Sequence, residues 1–145
     1  MNYLLEFAER LTELMRYKSI KSEQLAKELS VSGSIVRSWQ RGEKQPSLPN
    51  LTKLADFFNS TMDFLAGRNE GEMDFVPQIP PPFPQALRKA LAAHNMSRYS
   101  LTSNTKFGDG YVYKWDKGAQ PDMITLIELA NILGCSIDYL VGREN

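Results

Sequence analysis

The chain is short of the residues from which reaction chemistry is built. It has one histidine, His94, and one cysteine, Cys135. A lone cysteine excludes an internal disulfide and fits a reducing compartment. One His, one Cys and scattered acids offer no metal-ligand spacing, and no Gly-rich phosphate loop or nucleophile–base set is legible. An enzyme, a metal and a cofactor are therefore not expected. No apolar run approaches the ~20 residues of a bilayer span. The opening MNYLLEFAERL carries acids inside its apolar pattern, which marks an amphipathic helix rather than a secretory signal. Alternating β patterns are missing too. So is net charge, because 17 Lys and Arg balance 17 Asp and Glu. These absences together predict a cytoplasmic, all-α protein.

What is present is one frame used twice. "SVSGSIVRSWQRGEKQP" (30–46) returns in outline as "KFGDGYVYKWDKGAQP" (106–121). A shift of 76 residues carries Leu11 onto Leu87, Met15 onto Leu91, Leu25 onto Leu101, Val36 onto Val112, Trp39 onto Trp115 and Gly42 onto Gly118. After a one-residue deletion, Pro46 falls on Pro121, Leu51 on Leu126, Ala55 on Ala130, Asp63 on Asp138, Leu65 on Leu140 and Gly67 on Gly142. Such self-similarity predicts a tandem duplication, with domains at 1–68 and 83–145. The Pro-rich stretch 69–82 reads as a semi-rigid linker. Its Met73, Phe75, Val76 and Ile79 either dock on a domain or stay exposed.

Each unit reads as five short helices. In the first, Leu4, Phe7, Ala8, Leu11, Leu14 and Met15 recur at helical spacing. Ser22 is expected to cap a second helix, and residues 30–33 to form a tight turn. A third helix should run from Ser34 to Arg41, burying Val36 and Trp39 and stopping at Gly42. Ser47 and Thr61 should cap two more. Trp39 and Trp115 read as core anchors, Cys135 as a buried small hydrophobe and His94 as solvated.

Two short helices joined by a tight turn, the second with a polar face, form a helix-turn-helix pattern. One helix lies in the DNA major groove and the other braces it. The segment SEQLAKELSVSGSIVRSWQRGEKQPSLPNLTKLADFFNSTMDFLAG resembles the Cro and phage-repressor (XRE) family. Leu25, Ala26, Val31, Ser32, Val36, Trp39, Gly42, Pro46, Asp63 and Leu65 carry the likeness. The resemblance implies two tandem five-helix lambda-repressor-like domains. It also implies a bacterial or phage regulator, a homodimer, and double-stranded DNA as partner. Base-facing positions would be Ser32, Gly33, Ser34, Arg37 and Ser38. Ser22 stands where the family usually has a phosphate-touching Gln. Gln40 and Met15 replace a Glu and an Arg that often pair in the family.

Charge separates the two copies. From Arg16 to Lys53, eight basic residues face three acidic ones, a surplus of five. Arg41 and Lys44 are the expected phosphate contacts, while Lys18 and Lys21 either touch phosphate or solvate a loop. From Ala92 to Glu128, four basic residues face four acidic ones. The second motif offers Arg98, Asp109, Tyr113, Lys114 and Lys117, with Asp109 where a base reader would sit. The expectation is a sequence-specific transcriptional regulator, a repressor, whose first copy reads DNA and whose second is more an interaction or dimer-forming module. The alternative is a protein-interaction or antitoxin-like module on the same fold.

Overall fold

A computed structural model describes residues 2–69 and 76–144. Among these, every named element is a helix, in keeping with the all-α expectation. The chain divides into two compact units. One is built on α1–α5, the other on α6–α8, α10 and all but the first residues of α9.

In the first unit, α1 (Tyr3–Tyr17) is capped by Asn2, whose side chain accepts from the Leu5 N–H at 3.1 Å. Its apolar stripe buries Phe7, Ala8, Leu11 and Met15. Helix α2 (Ser22–Leu29) begins one residue before expectation. Lys21 holds the N-cap position, and its N–H donates to Gln24 Oε1 at 2.9 Å. Ser22 is thus the first helical residue and not the cap. Ser30 turns left-handed at φ 56°, and Ser32 caps α3 (Gly33–Gln40) by accepting from the Ile35 N–H at 3.1 Å. Gly33 therefore opens the helix rather than completing the turn. The helix ends at Gln40, one residue earlier than expected, and Gly42 takes the left-handed stop at φ 70°.

Trp39 is 2% exposed, and Phe7 meets its ring edge-on with centroids 6.4 Å apart. That contact anchors α3 on α1, and aromatic burial of this kind dominates a core this small. Helix α4 (Leu48–Phe57) starts at Ser47, which holds the N-cap place without a side-chain cap bond. Helix α5 (Met62–Leu65) is capped by Thr61, as expected. Behind it, Asp63 pairs with Arg68, and the Arg68 N–H donates to the Asp63 carbonyl at 2.8 Å.

In the second unit, α6 (Phe83–Ala93), α7 (Arg98–Asn104), α8 (Asp109–Asp116), α9 (Met123–Leu133) and α10 (Ile137–Val141) follow the same order. Phe83 meets Trp115 edge-on at 5.4 Å, and Trp115 is 4% exposed. The turn before α8 is built differently from its counterpart. Thr105 is extended, its hydroxyl donates to the Leu101 carbonyl at 2.7 Å, and the same oxygen accepts from the Phe107 N–H at 3.0 Å. Phe107 fills the space beneath, 1% exposed and 6.0 Å from the Trp115 ring. Asp138 and Arg143 form a buried pair, each side chain 1% exposed.

One expectation fails here, and one left open is decided. Cys135 is half-buried, not enclosed. Val76 and Ile79 do not dock, since they are 89% and 95% exposed. Residues of the same stretch that do settle on the second unit are polar or cyclic. Gln78 donates its N–H to the Arg143 carbonyl at 2.9 Å, and Pro81 sits where a Cβ on Gly142 would fall. Met73 and Phe75 lie outside the described residues. His94 is exposed, as expected, with Nδ1 2.9 Å from the Ala90 carbonyl.

Candidate nucleic-acid interface

A helix turns about 100° per residue, so α3 divides cleanly around its axis. Val36 and Trp39 point to the core. Ser34, Arg37 and Arg41 share the opposite, exposed arc, with Gly33 half-exposed beside them. The face is polar and small at its start and cationic toward its end. That order suits close approach to base edges first and backbone phosphates second.

Ser38 does not belong to this face. It is 6% exposed, and its hydroxyl donates to the Ile35 carbonyl at 2.6 Å. The expectation that it faces bases is corrected by its burial: four residues after Ser34 it lies on the same side of the helix, but it is enclosed and its hydroxyl is turned back to its own helix. Ser32 is exposed, but its oxygen serves α3 as a cap. Ser22 is half-buried, and its hydroxyl donates to Gln40 Oε1 at 2.8 Å. It ties the start of α2 to the end of α3. Gln40, where the resemblance expects an acid, thus has a neutral partner, and Met15 is packed in the core.

Two of the expected cations are held by acids. Arg37 on α3 pairs with Glu23 on α2. Arg41 Nε lies 2.9 Å from Glu43 Oε1. Both pairs are exposed, so each adds little to stability. Lys44, Lys21 and Lys27 are exposed in the same region. Lys53 has a structural task, donating to the Leu29 carbonyl at 3.0 Å and closing the C-terminal end of α2. Lys18 lies 5.1 Å over the Phe57 ring. Glu23 and Lys53 are participants that sequence reasoning missed, as was the partner of Gln40. Their contacts run between helices, and neither periodicity nor local charge counts register them.

The second motif has a different surface. Asp109 is the exposed first residue of α8, where an acid suits the helix dipole. Arg98 pairs with Asp116 at 3.0 Å. Tyr113 is 60% exposed, with Lys117 Nζ 5.4 Å above its ring, and Lys114 is exposed in the last turn. Tyr99 and Tyr113 occupy the positions 76 residues beyond Glu23 and Arg37. Among the described residues no group of His, Cys, Asp and Glu is placed to hold a metal, and no helix is long and apolar enough to cross a membrane.

The chain spans 32% and 60% of the length of two curated relatives that it matches. It is 35% identical over 66 residues, 46% of its own length, to the HTH-type transcriptional activator BcrR of Enterococcus faecalis. It is 37% identical over 70 residues, 48% of its length, to the HTH-type transcriptional regulator AnsR of Bacillus subtilis (strain 168). Among solved structures, a transcriptional regulator from Listeria innocua aligns over 88% of this chain and 94% of its own, at 21% identity and a TM-score of 0.42. Over residues 14–65 the chain matches the helix-turn-helix family, and α2 and α3 with the turn at Ser30–Ser32 lie inside that match.

Proposed function

We propose that this protein is a sequence-specific DNA-binding regulator of transcription, and that its first unit reads the major groove with α3. The observation that carries this is the polar, cationic arc of α3, presented by α2 within the matched segment 14–65 and surrounded by a local surplus of five positive charges. Gly33, Ser34 and Arg37 face base edges in this reading. Arg41 and Lys44 hold phosphates, and Ser32 offers its backbone and cap at the entry of the helix. Small residues at the front give few bidentate contacts, so one unit alone discriminates modestly. Pairing of two chains on a symmetric site multiplies that discrimination. The protein is proposed to act as such a homodimer, and as a repressor that occludes its site.

The second unit is proposed to be a divergent copy that serves as an interaction module. The repeated Asp–Arg pairs at 63/68 and 138/143 support common descent of the two units. The balanced charge around α8 and the exposed Tyr99, Tyr111 and Tyr113 favour a protein partner over a phosphate backbone there.

Footprinting and mobility shift with the full chain test the proposal. Salt-sensitive protection of discrete sites is the expected result. Arg37→Ala with Arg41→Ala should weaken binding ~10-fold or more, by analogy with the usual worth of a base contact and a phosphate contact. Lys114→Ala with Lys117→Ala should leave it within about twofold, on the same scale. Equal losses for both pairs would show that both units touch DNA. Absence of binding to any genomic fragment at low salt would sink the regulator reading.

A further inference from the structure

Glu23 is 73% exposed on α2, yet its carboxylate does not simply face water. It meets the guanidinium of Arg37 on α3. The same group covers Gly33, where an added Cβ would lie 2.6 Å from Glu23 Cδ. Gly33 and Arg37 are four residues apart on one helix and stack on one face. Glu23 therefore reaches from the bracing helix across the first turn of the reading helix, on the side that carries Arg37. The missing side chain at Gly33 is what leaves room for it.

We infer that Glu23 is a specificity-determining residue: it positions Arg37 for a base edge and neutralises it toward the phosphate backbone. The inference rests on the DNA-binding reading of the first unit. A guanidinium carries five N–H donors, and a carboxylate accepts at most two of them in a fork. Donors remain for guanine O6 and N7, the commonest partner of a groove arginine. Toward the backbone the outcome differs. The paired Arg37 and Glu23 sum to no charge, so contact with DNA of the wrong sequence releases few counterions on their account. Directional bonds to the right base are kept, and undirected attraction to every phosphate is reduced. An exposed pair contributes little to folding, so the role shows in binding. The second unit has Tyr99 and Tyr113 at the corresponding positions and cannot form this pair.

The test uses the full-length chain and two duplexes, one enriched by the wild-type protein from a random-sequence pool and one shuffled duplex of the same composition. Binding is followed by fluorescence anisotropy across a salt series. In Glu23→Gln, affinity for the shuffled duplex should rise about fivefold near 0.1 M salt, and its salt slope should steepen by up to ~0.9. Affinity for the selected duplex should not rise in step, so the ratio of the two falls about fivefold, within the usual worth of one phosphate contact. Gly33→Ala pushes the carboxylate aside without removing its charge, and should lower the ratio with little change in slope. In an Arg37→Ala background, Glu23→Gln should leave the ratio unchanged. Equal tightening on both duplexes, or the same fall in ratio without Arg37, overturns the inference and leaves the DNA-binding reading standing. If the wild-type chain enriches no sequence at all, the DNA-binding reading itself fails, and this inference falls with it.

Discussion

Ser38 and Arg37 are neighbours in sequence but differ sharply in exposure. Ser38 is 6% exposed with its hydroxyl returned to its own helix, whereas the Arg37 side chain is 46% exposed. A one-residue step turns a helix by about 100°, and what lies against each side chain then decides which of the two stays exposed. Ser38→Ala should therefore leave DNA affinity within about twofold and stability within ~1 kcal/mol, because a hydroxyl bonded back to its own helix competes with the backbone ladder and adds little net stability. A titration and a denaturant melt check this pair of outcomes. A large loss of affinity with stability intact would return Ser38 to the contact face. Arg37→Ala has a second consequence, since it leaves the Glu23 carboxylate uncompensated beside the groove.

The same sixfold residue pattern ends both units, DFLAGR at 63–68 and DYLVGR at 138–143. At the scale of the element, its purpose is to close a very short helix. Helices α5 and α10 have four and five residues, too few to hold themselves. The first acid and the last arginine bond through both backbone and side chain, which pins the chain where it leaves the helix. The environments differ. Asp138 and Arg143 are each 1% exposed, while Arg68 is 20% exposed beside a 4% exposed Asp63. Removing one partner of an enclosed pair strands a buried charge, at about 3–5 kcal/mol. Asp138→Ala should thus lower the stability of the second unit by about 3 kcal/mol, and Asp63→Ala should cost the first unit less. Urea melts of the full chain, followed by the unit-specific fluorescence of Trp39 and Trp115 in single-Trp variants, measure the two separately. A smaller loss for Asp138→Ala than for Asp63→Ala would contradict the burial argument.

Net charge is zero for the whole molecule, yet binding is expected to depend steeply on salt. The reason is distribution: the surplus of five lies around α2 and α3, and the compensating acids lie elsewhere. If each surplus charge meets a phosphate, the logarithm of affinity should fall with the logarithm of salt at a slope of about −4.5 per bound unit. The surplus of five already counts Arg37 and Arg41 as cancelled by Glu23 and Glu43, so slopes near −1 would mean that most of the remaining surplus charges do not reach phosphates. Sedimentation of the free and bound chain reports at the same time whether two chains occupy one site.

Much of this was legible without coordinates. Frame residues such as Trp39, Val36, Gly42 and Trp115 announce themselves because burial and left-handed stops demand particular residue types at helical spacing. Thr61 was readable as a cap for the same local reason. Ser22 was not, because any serine near a helix start satisfies the capping pattern, and Lys21 took the place. Phe107 escaped notice inside a polar turn, since a single aromatic there has no period.

Residue order alone carries the all-helical class, the repeated frame and the location of the positive surplus. These follow from residue types and spacings, which act through short-range geometry and simple counting. Which residues are enclosed, and which charges are already answered, emerge when the helices pack. Packing turned Ser38 inward, gave Ser22 to Gln40, and brought Glu23 over Gly33 onto Arg37, fourteen residues away along the chain. Such pairings depend on how two helices cross, and no local pattern in either helix encodes the other.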